Sequence, residues 1–212
     1  MTELSASRAQ RPLVVACGAL VAELRSVLAA NNLADHVDVR YLPANRHNRP
    51  DTIVDAIDAI LGELATGDAP RQVLLGYADC GTGGALDTYL ADHPNVVRLP
   101  GAHCYEFFAG GELFAQLHDG EPGTFYLTDF LAKHFDALVW SGLGLDRHPE
   151  LRDTYFGNYT RVVLISQRDD AEVIAAARAA ARQLGLAFEH QAVGLGPFTA
   201  AVAGAVTFRR AS

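Results

Sequence analysis

Three cysteines and a histidine stand where the strands of a parallel sheet would bring them together. Cys17 directly follows the apolar run Pro12-Leu-Val-Val-Ala16. Cys80 comes four residues after a second run, Gln72 to Gly76, within Gly76-Tyr-Ala-Asp-Cys-Gly-Thr-Gly-Gly84. Cys104 comes five residues after Val96 to Leu99, within Gly101-Ala-His-Cys-Tyr-Glu106, and His47 follows Val37 to Leu42. In an open parallel sheet the carboxyl ends of all strands share one edge, and ligands bind there. Three thiolates plus His47 or His103 make a donor set adequate for tetrahedral zinc, with His47 the favoured fourth ligand. Three thiolates alone suit an iron–sulfur cluster with an open iron, although the spacing matches none of the usual cluster runs. The metal-free alternative is a racemase, isomerase or lyase of a small carboxylate, with two thiols as acid and base on opposite faces of the substrate. Taken singly, each cysteine also reads as a small buried hydrophobe beside an apolar sheet. Their shared position at strand ends is what points to one site.

The neighbours of these residues extend the chemistry. Cys17-Gly18 opens a helical pattern, whose first N–H groups are expected to lower the thiol pKa. Gly81, Gly83 and Gly84, with Thr82 between them, free backbone N–H groups to face an anion or a sulfur. Together with Tyr105 they form the candidate cofactor-binding set. Asp79 and Glu106 are the candidate acid–base groups, although an Asx turn suits Asp79 and a solvated first helical turn suits Glu106. Asp129 ends another strand, where it fits either the same crevice or an ordinary N-cap. His134, His148 and His190 have no partner spacing and read as surface or structural. The aromatic run Tyr155 to Tyr159 reads as core packing more simply than as a ligand wall.

Elements that would position these residues alternate along the chain. Leu20, Leu24, Val27 and Leu28 recur at helical spacing after the first strand, and Val37 to Leu42 alternates as the second. Asp51 is placed as the N-cap of a helix with Ile53, Ile57, Ile60, Leu61 and Leu64 on one face. Gly67 to Pro70 is a turn before the third strand. Helix, short strand and helix follow through Leu117, with Gly110-Gly111 breaking the last helix. Thr124 to Thr128 and Arg161 to Ser166 read as strands, and Ala137 to Trp140 as a strand or a helix end. Asp169-Asp170 cap a helix before a last parallel strand, Ala187 to Gln191. This rhythm predicts an α/β fold with a mostly parallel sheet flanked by helices and a cleft at the strand carboxyl edge. Residues 1–11 read as a tail, 12–140 as the main lobe, and 141–212 as a smaller segment beginning at the glycine-rich stretch Ser141 to Asn158.

The chain has 212 residues, with 17 Lys plus Arg against 25 Asp plus Glu, a formal charge of −8. That balance argues against a nucleic-acid binder, which needs a basic face. No apolar run reaches the roughly 18 residues of a membrane span. Met1 to Arg11 is short and polar and contains Glu3, unlike a secretory signal, so a cytoplasmic location is expected. Three cysteines without a C-x-x-C pair argue against a disulfide framework. Lys133 is the only lysine, and no P-loop motif is present. The expected partner is a small molecule or cofactor.

Ala16-Cys-Gly-Ala-Leu20, Leu75-Gly-Tyr-Ala-Asp-Cys-Gly-Thr-Gly-Gly84, Pro100-Gly-Ala-His-Cys-Tyr-Glu-Phe-Phe108 and Gly123-Thr-Phe-Tyr-Leu-Thr128 occur together in this chain. In this it resembles the bacterial and archaeal family of domains of unknown function numbered 1638, from about Pro12 to Leu186. The family's Leu-His-Asn-x-Pro loop stands here as Arg46-His47-Asn48-Arg49-Pro50, with Arg46 in place of the usual leucine. Members of that family often accompany corrinoid proteins and methyltransferases. The resemblance thus implies corrinoid-linked one-carbon metabolism, either as a methyltransferase or as an accessory handling metal or a corrinoid.

Overall fold

A strand with no polar face must be covered on both sides, and β1 (Leu13–Cys17) is buried at all five positions. The computed structural model describes residues 11–64 and 72–207. β1 runs into a short 3-10 turn, Gly18–Leu20, and then α1 (Val21–Ala30), which buries Leu24, Val27 and Leu28. β2 (Asp38–Leu42) follows, and 3-10 turns at Ala44–Asn48 and Pro50–Thr52 lead into α2 (Ile53–Leu64). Asp51 therefore lies inside a 3-10 turn, where Pro50 fixes the first residue, and not at a helix N-cap. β3 (Val73–Gly76), α3 (Ala85–Ala91) and β4 (Val96–Arg98) complete a four-stranded parallel sheet of order β2-β1-β3-β4. The expected tail and the turn at 67–70 fall outside the described residues, apart from Arg11.

That order has a functional consequence. From β1 the chain steps outward to β2, then returns past β1 to lay down β3 and β4 on the other side. The switch point lies between β1 and β3, the position at whose carboxyl ends open α/β sheets generally bind ligands. Close approach at this point depends on Gly76, which pairs with Ala16 across the ladder. A Cβ on Gly76 would stand 2.6 Å from the Ala16 Cβ. Gly76→Ala is accordingly expected to destabilise the protein by about 1–3 kcal/mol through overpacking. Gly62→Ala, in α2 with open space around its Cβ position, should instead stabilise by up to about 1 kcal/mol. Urea unfolding of the two variants checks both signs.

A second compact unit spans Tyr105–Phe198, and the first comprises Met1–Cys104 with Thr199–Ser212. α4 (Cys104–Ala109) and α5 (Gly111–Gly120) are separated at Gly110, whose φ of 82° ends the first helix where the glycine pair predicts. β5 (Thr124–Thr128), α6 (Asp129–Lys133), α7 (Arg152–Phe156), β6 (Arg161–Ser166), α8 (Ala171–Leu184) and β7 (Ala187–Ala192) follow. The strands form a parallel sheet of order β5-β6-β7. Asp170 caps α8 by accepting from the N–H groups of Glu172 and Val173, and Gly185 ends it at φ 72°. α9 (Gly196–Thr207) is the last helix among the described residues. Ala137 to Trp140 belongs to a π-helical turn, Asp136–Trp140. The protein is thus an α/β fold of parallel sheets flanked by helices.

The division between units falls at Cys104, not in the stretch 141–158. Leu145 and Phe156, within that stretch, are buried in one core with Leu127, Val162 and Leu164, so its glycines are loops of the second unit. Phe156 and Tyr159 both pack against Phe125, as the core reading of the aromatic run predicts, while Tyr155 is exposed. Among the described residues no helix is long and apolar enough to cross a membrane.

Candidate functional site

Cys17 is the last residue of β1, and the chain turns immediately after it. The turn brings the Ala19 N–H to the Cys17 Sγ at 3.4 Å. His47 arrives from the 3-10 turn after β2, and its Nδ1 lies 3.6 Å from the same sulfur. That nitrogen also lies 3.2 Å from the Ala44 carbonyl oxygen. With its proton on Nδ1 the imidazole donates to Ala44, whereas with the proton on Nε2 it accepts from the Cys17 thiol. Tyr77, the first residue beyond β3, stacks its ring on His47 with centroids 6.1 Å apart. Its hydroxyl is buried without a hydrogen bond of proper geometry, although it lies close enough to Cys17 for each to influence the other's titration.

Cys80 is held by its loop in a conformation that few non-glycine residues adopt, with φ 52°. Asp79 accounts for much of that geometry. Its carboxylate accepts from the Thr82 hydroxyl at 2.6 Å and from the N–H groups of Gly83 at 3.2 Å and Gly84 at 2.9 Å. These bonds, with Thr82 first, hold the Asp79 carboxyl below its ordinary pKa. The backbone N–H groups of Gly83 and Gly84 therefore point at Asp79, as in an Asx-type turn. Backbone bonds from Asp79 N to Gly101 O at 3.1 Å and from Cys80 N to Ala102 O at 2.8 Å tie this loop to the one after β4. Arg98 braces that second loop by donating to the carbonyls of Leu99 and Gly101 while paired with Asp87.

Burial sets the electrostatics. It pushes the Cys17 thiol up to about 11, against the smaller opposing effects of the Ala19 N–H and Tyr77. It pushes Cys80 up to about 12, opposed by hydrogen bonds from the backbone at Ala78 and Cys104. The expectation of a lowered Cys17 pKa is thereby corrected: one N–H on the sulfur does not offset its removal from water. Burial also lowers His47, against the Ala44 bond, so the imidazole is neutral at neutral pH. Tyr77 is raised by burial first and by the two neighbouring sulfurs next.

Other candidates are more dispersed. Cys104 opens α4 and is half-buried, and His103 before it is exposed. In the second unit, Tyr105 packs its ring 5.5 Å from that of Tyr126, and Glu106 is half-buried on the same helix. Gly81 and Gly83 are exposed, with positive φ. Among the described residues no three His, Cys, Asp or Glu side chains gather into a group that could hold a metal ion. Thr128, rather than Asp129, caps α6, accepting from the Leu131 N–H at 3.3 Å. Asp129 exchanges bonds with Gln167 across the β5–β6 ends, and burial raises its pKa. His190 bonds Ser166 at 2.8 Å and His148 bonds Glu150 at 3.2 Å.

Two residues of the site carry no motif signal. Tyr77 lies in the Gly76–Gly84 segment but reads there as an apolar position, and Arg46 reads as a loop cation. Arg46 Nη1 donates to the carbonyl and hydroxyl oxygens of Thr52 at 3.2 and 3.0 Å, while its Nε is buried without a partner.

A family model described as a protein of unknown function, DUF1638, matches residues 41–202. The match takes in His47, Tyr77, Cys80 and Cys104 and begins after Cys17. No curated protein and no solved structure matches the chain.

Proposed function

The chain belongs to the DUF1638 family, and on that premise we propose that Cys17, His47 and Cys80, completed by Cys104, bind a thiophilic cation, zinc in the first instance. The carrying observation is the contact of Cys17 Sγ with His47 Nδ1 at 3.6 Å. Zinc bonds of about 2.3 Å to sulfur and about 2.1 Å to nitrogen, at a tetrahedral angle, span an S···N edge of about 3.6 Å. That spacing is compatible with one edge of a zinc tetrahedron, onto which Cys80 and Cys104 would have to close, since among the described residues no three such side chains are gathered. Cys80 follows the adjacent strand β3, near enough that the Cys17 charge raises the Cys80 thiol. Ligation through Nδ1 requires the Nε2–H tautomer and gives up the Ala44 bond.

A metal-free thiol enzyme needs a thiolate base, and burial keeps both thiols protonated at neutral pH. A cation is what makes buried sulfur anionic, so the same burial favours the metal reading. When bound, zinc supplies a Lewis acid and keeps an attached sulfur deprotonated at neutral pH. The residues themselves then orient it: Ala19 N–H fixes the Cys17 sulfur, Asp79 shapes the Cys80 loop, and Tyr77 stacks on the imidazole. The association of this family with corrinoid proteins supports a role in corrinoid-linked one-carbon metabolism, as a methyltransferase or an accessory factor. Elemental analysis of protein purified without oxygen should find close to one zinc or iron per chain. Metal-free protein with all three thiols freely alkylated would sink the reading.

A further inference from the structure

Cys80 sits at φ 52°, a left-handed backbone that glycine takes without strain and other residues take where their surroundings impose it. A closed ring of hydrogen bonds imposes it here. Asp79 donates its N–H to the Gly101 carbonyl at 3.1 Å. The same carbonyl accepts from Arg98 Nη1 at 3.1 Å, and Nη1 also reaches the Leu99 carbonyl at 2.9 Å. The other edge of that guanidinium, Nε with Nη2, forks onto the Asp87 carboxylate at 2.6 and 2.9 Å. Asp87 lies in the first turn of α3, and Gly84 before that helix donates its N–H to Asp79 Oδ1 at 2.9 Å. The ring thus leaves Asp79 through its N–H and returns to it through its carboxylate. Cys80, next in the chain, adds its own N–H to the Ala102 carbonyl at 2.8 Å.

Hydrogen bonds carry this task because packing gives the loop after β4 little support. β4 ends the sheet order among the described residues, and Asp87, Arg98, Pro100 and Gly101 line a cavity of about 760 Å3 beside it. The Arg98 side chain is 18% exposed and that of Asp87 is 56% exposed. An ion pair open to water to that degree adds little to overall stability, whereas its bidentate geometry fixes direction.

We propose that Arg98, held by Asp87, is a positioning residue for Cys80: through the Gly101 carbonyl it sets the Cys80 loop in place before any cation arrives. The inference rests on reading Cys80 as a ligand, and adds what orients it. A ligand ordered in advance forfeits less conformational freedom on binding. Lysine at position 98 keeps the charge opposite Asp87 but cannot fork onto it and bond two carbonyls at once.

The test uses the full chain, metal-free and reduced, pulsed with N-ethylmaleimide, with each cysteine followed by peptide mass spectrometry. Cys17 is the internal standard, since its hydrogen bonds go to Ala19 and His47 and not to the ring. Arg98→Met keeps the stem and removes the donors. It should speed Cys80 alkylation by about 10-fold or more and leave Cys17 within about 2-fold, because the opening is local. Arg98→Lys should act in the same direction, and Asp87→Asn more weakly. The double variant should be no faster than Arg98→Met alone, because the pair acts as one unit. Leu24→Ala, in the same unit and outside the ring, should instead speed both cysteines alike. Zinc affinity, by chelator competition, should fall by about 10-fold or more in Arg98→Met. An unchanged Cys80 rate in Arg98→Met, or Cys17 and Cys80 rising there by one factor, would overturn the proposal. Should Arg98→Met not fold, Asp87→Asn decides by the same comparison. Selective exposure of Cys80 in a chain that takes up no zinc would sustain the positioning and fail the zinc reading alone.

Discussion

Cys80→Ser is expected to lower zinc affinity by on the order of 100-fold or more while leaving the fold in place. Outer-shell partners of a metal ligand are already worth about 10–100-fold, and a direct ligand exceeds that. The loop survives because its shape comes from Asp79 and its glycines, and none of those bonds uses the Cys80 side chain as donor. Cys17→Ser should behave alike, with the Ala19 N–H retained by the serine oxygen. Competition with a chromophoric chelator gives the affinities. The pH dependence then counts the thiolates. Cys17 and Cys80 hold protons up to about 11 and about 12, so each must release one when zinc binds near neutral pH. His47, lowered by burial, is already neutral and releases none. Log affinity should rise by about 2 per pH unit with these two sulfurs, and by about 3 if Cys104 joins them. Cys80→Ser should remove one proton from the slope. A flat profile would exclude thiolate ligation.

The second large effect is alkaline destabilisation of the metal-free protein. Both thiols are raised from an ordinary value of 9.0, so the folded chain keeps protons that the unfolded chain has lost. Their contribution to stability is fully present below pH 9 and is lost as pH rises through about 11 and about 12. Each pKa unit corresponds to about 1.4 kcal/mol, so the loss reaches several kcal/mol across that window. Urea unfolding between pH 8 and 11 under reducing conditions should show it. A Cys17→Ala/Cys80→Ala double variant should start less stable and lose less with rising pH. Buried tyrosines titrate in both proteins, so the difference between the two curves isolates the sulfurs. Parallel curves would mean the thiols are not buried as described.

Legibility followed the range of the interactions. β5 (Thr124–Thr128) and β6 (Arg161–Ser166) coincide with the segments expected from pattern, because a strand covered on both faces is written in contiguous apolar residues. The α8 cap and the break at Gly110 were equally local. Asp51 was less so, since a 3-10 turn and an N-cap share the same residue preferences. Loop composition at 141–158 says nothing of Leu145 and Phe156 packing into the second core. Tyr77 carries no signal in the sequence as a site residue, since its stacking on His47 is set by the long-range pairing of β1 with β2 and β3.

The sequence alone determined that each cysteine would follow a different strand of an α/β fold, because strand identity and punctuation are set by neighbouring residues. It also determined which donor types were on offer. Only the tertiary structure decided their grouping. The order β2-β1-β3-β4 puts the ends carrying His47, Cys17 and Cys80 on three adjacent strands and leaves Cys104 beyond the edge strand β4. Strand order is a choice among long-range pairings, and no local pattern encodes it. Tertiary structure likewise reversed the expected pKa of Cys17: a helix-start N–H is a local feature, but desolvation sums over every element packed around the sulfur.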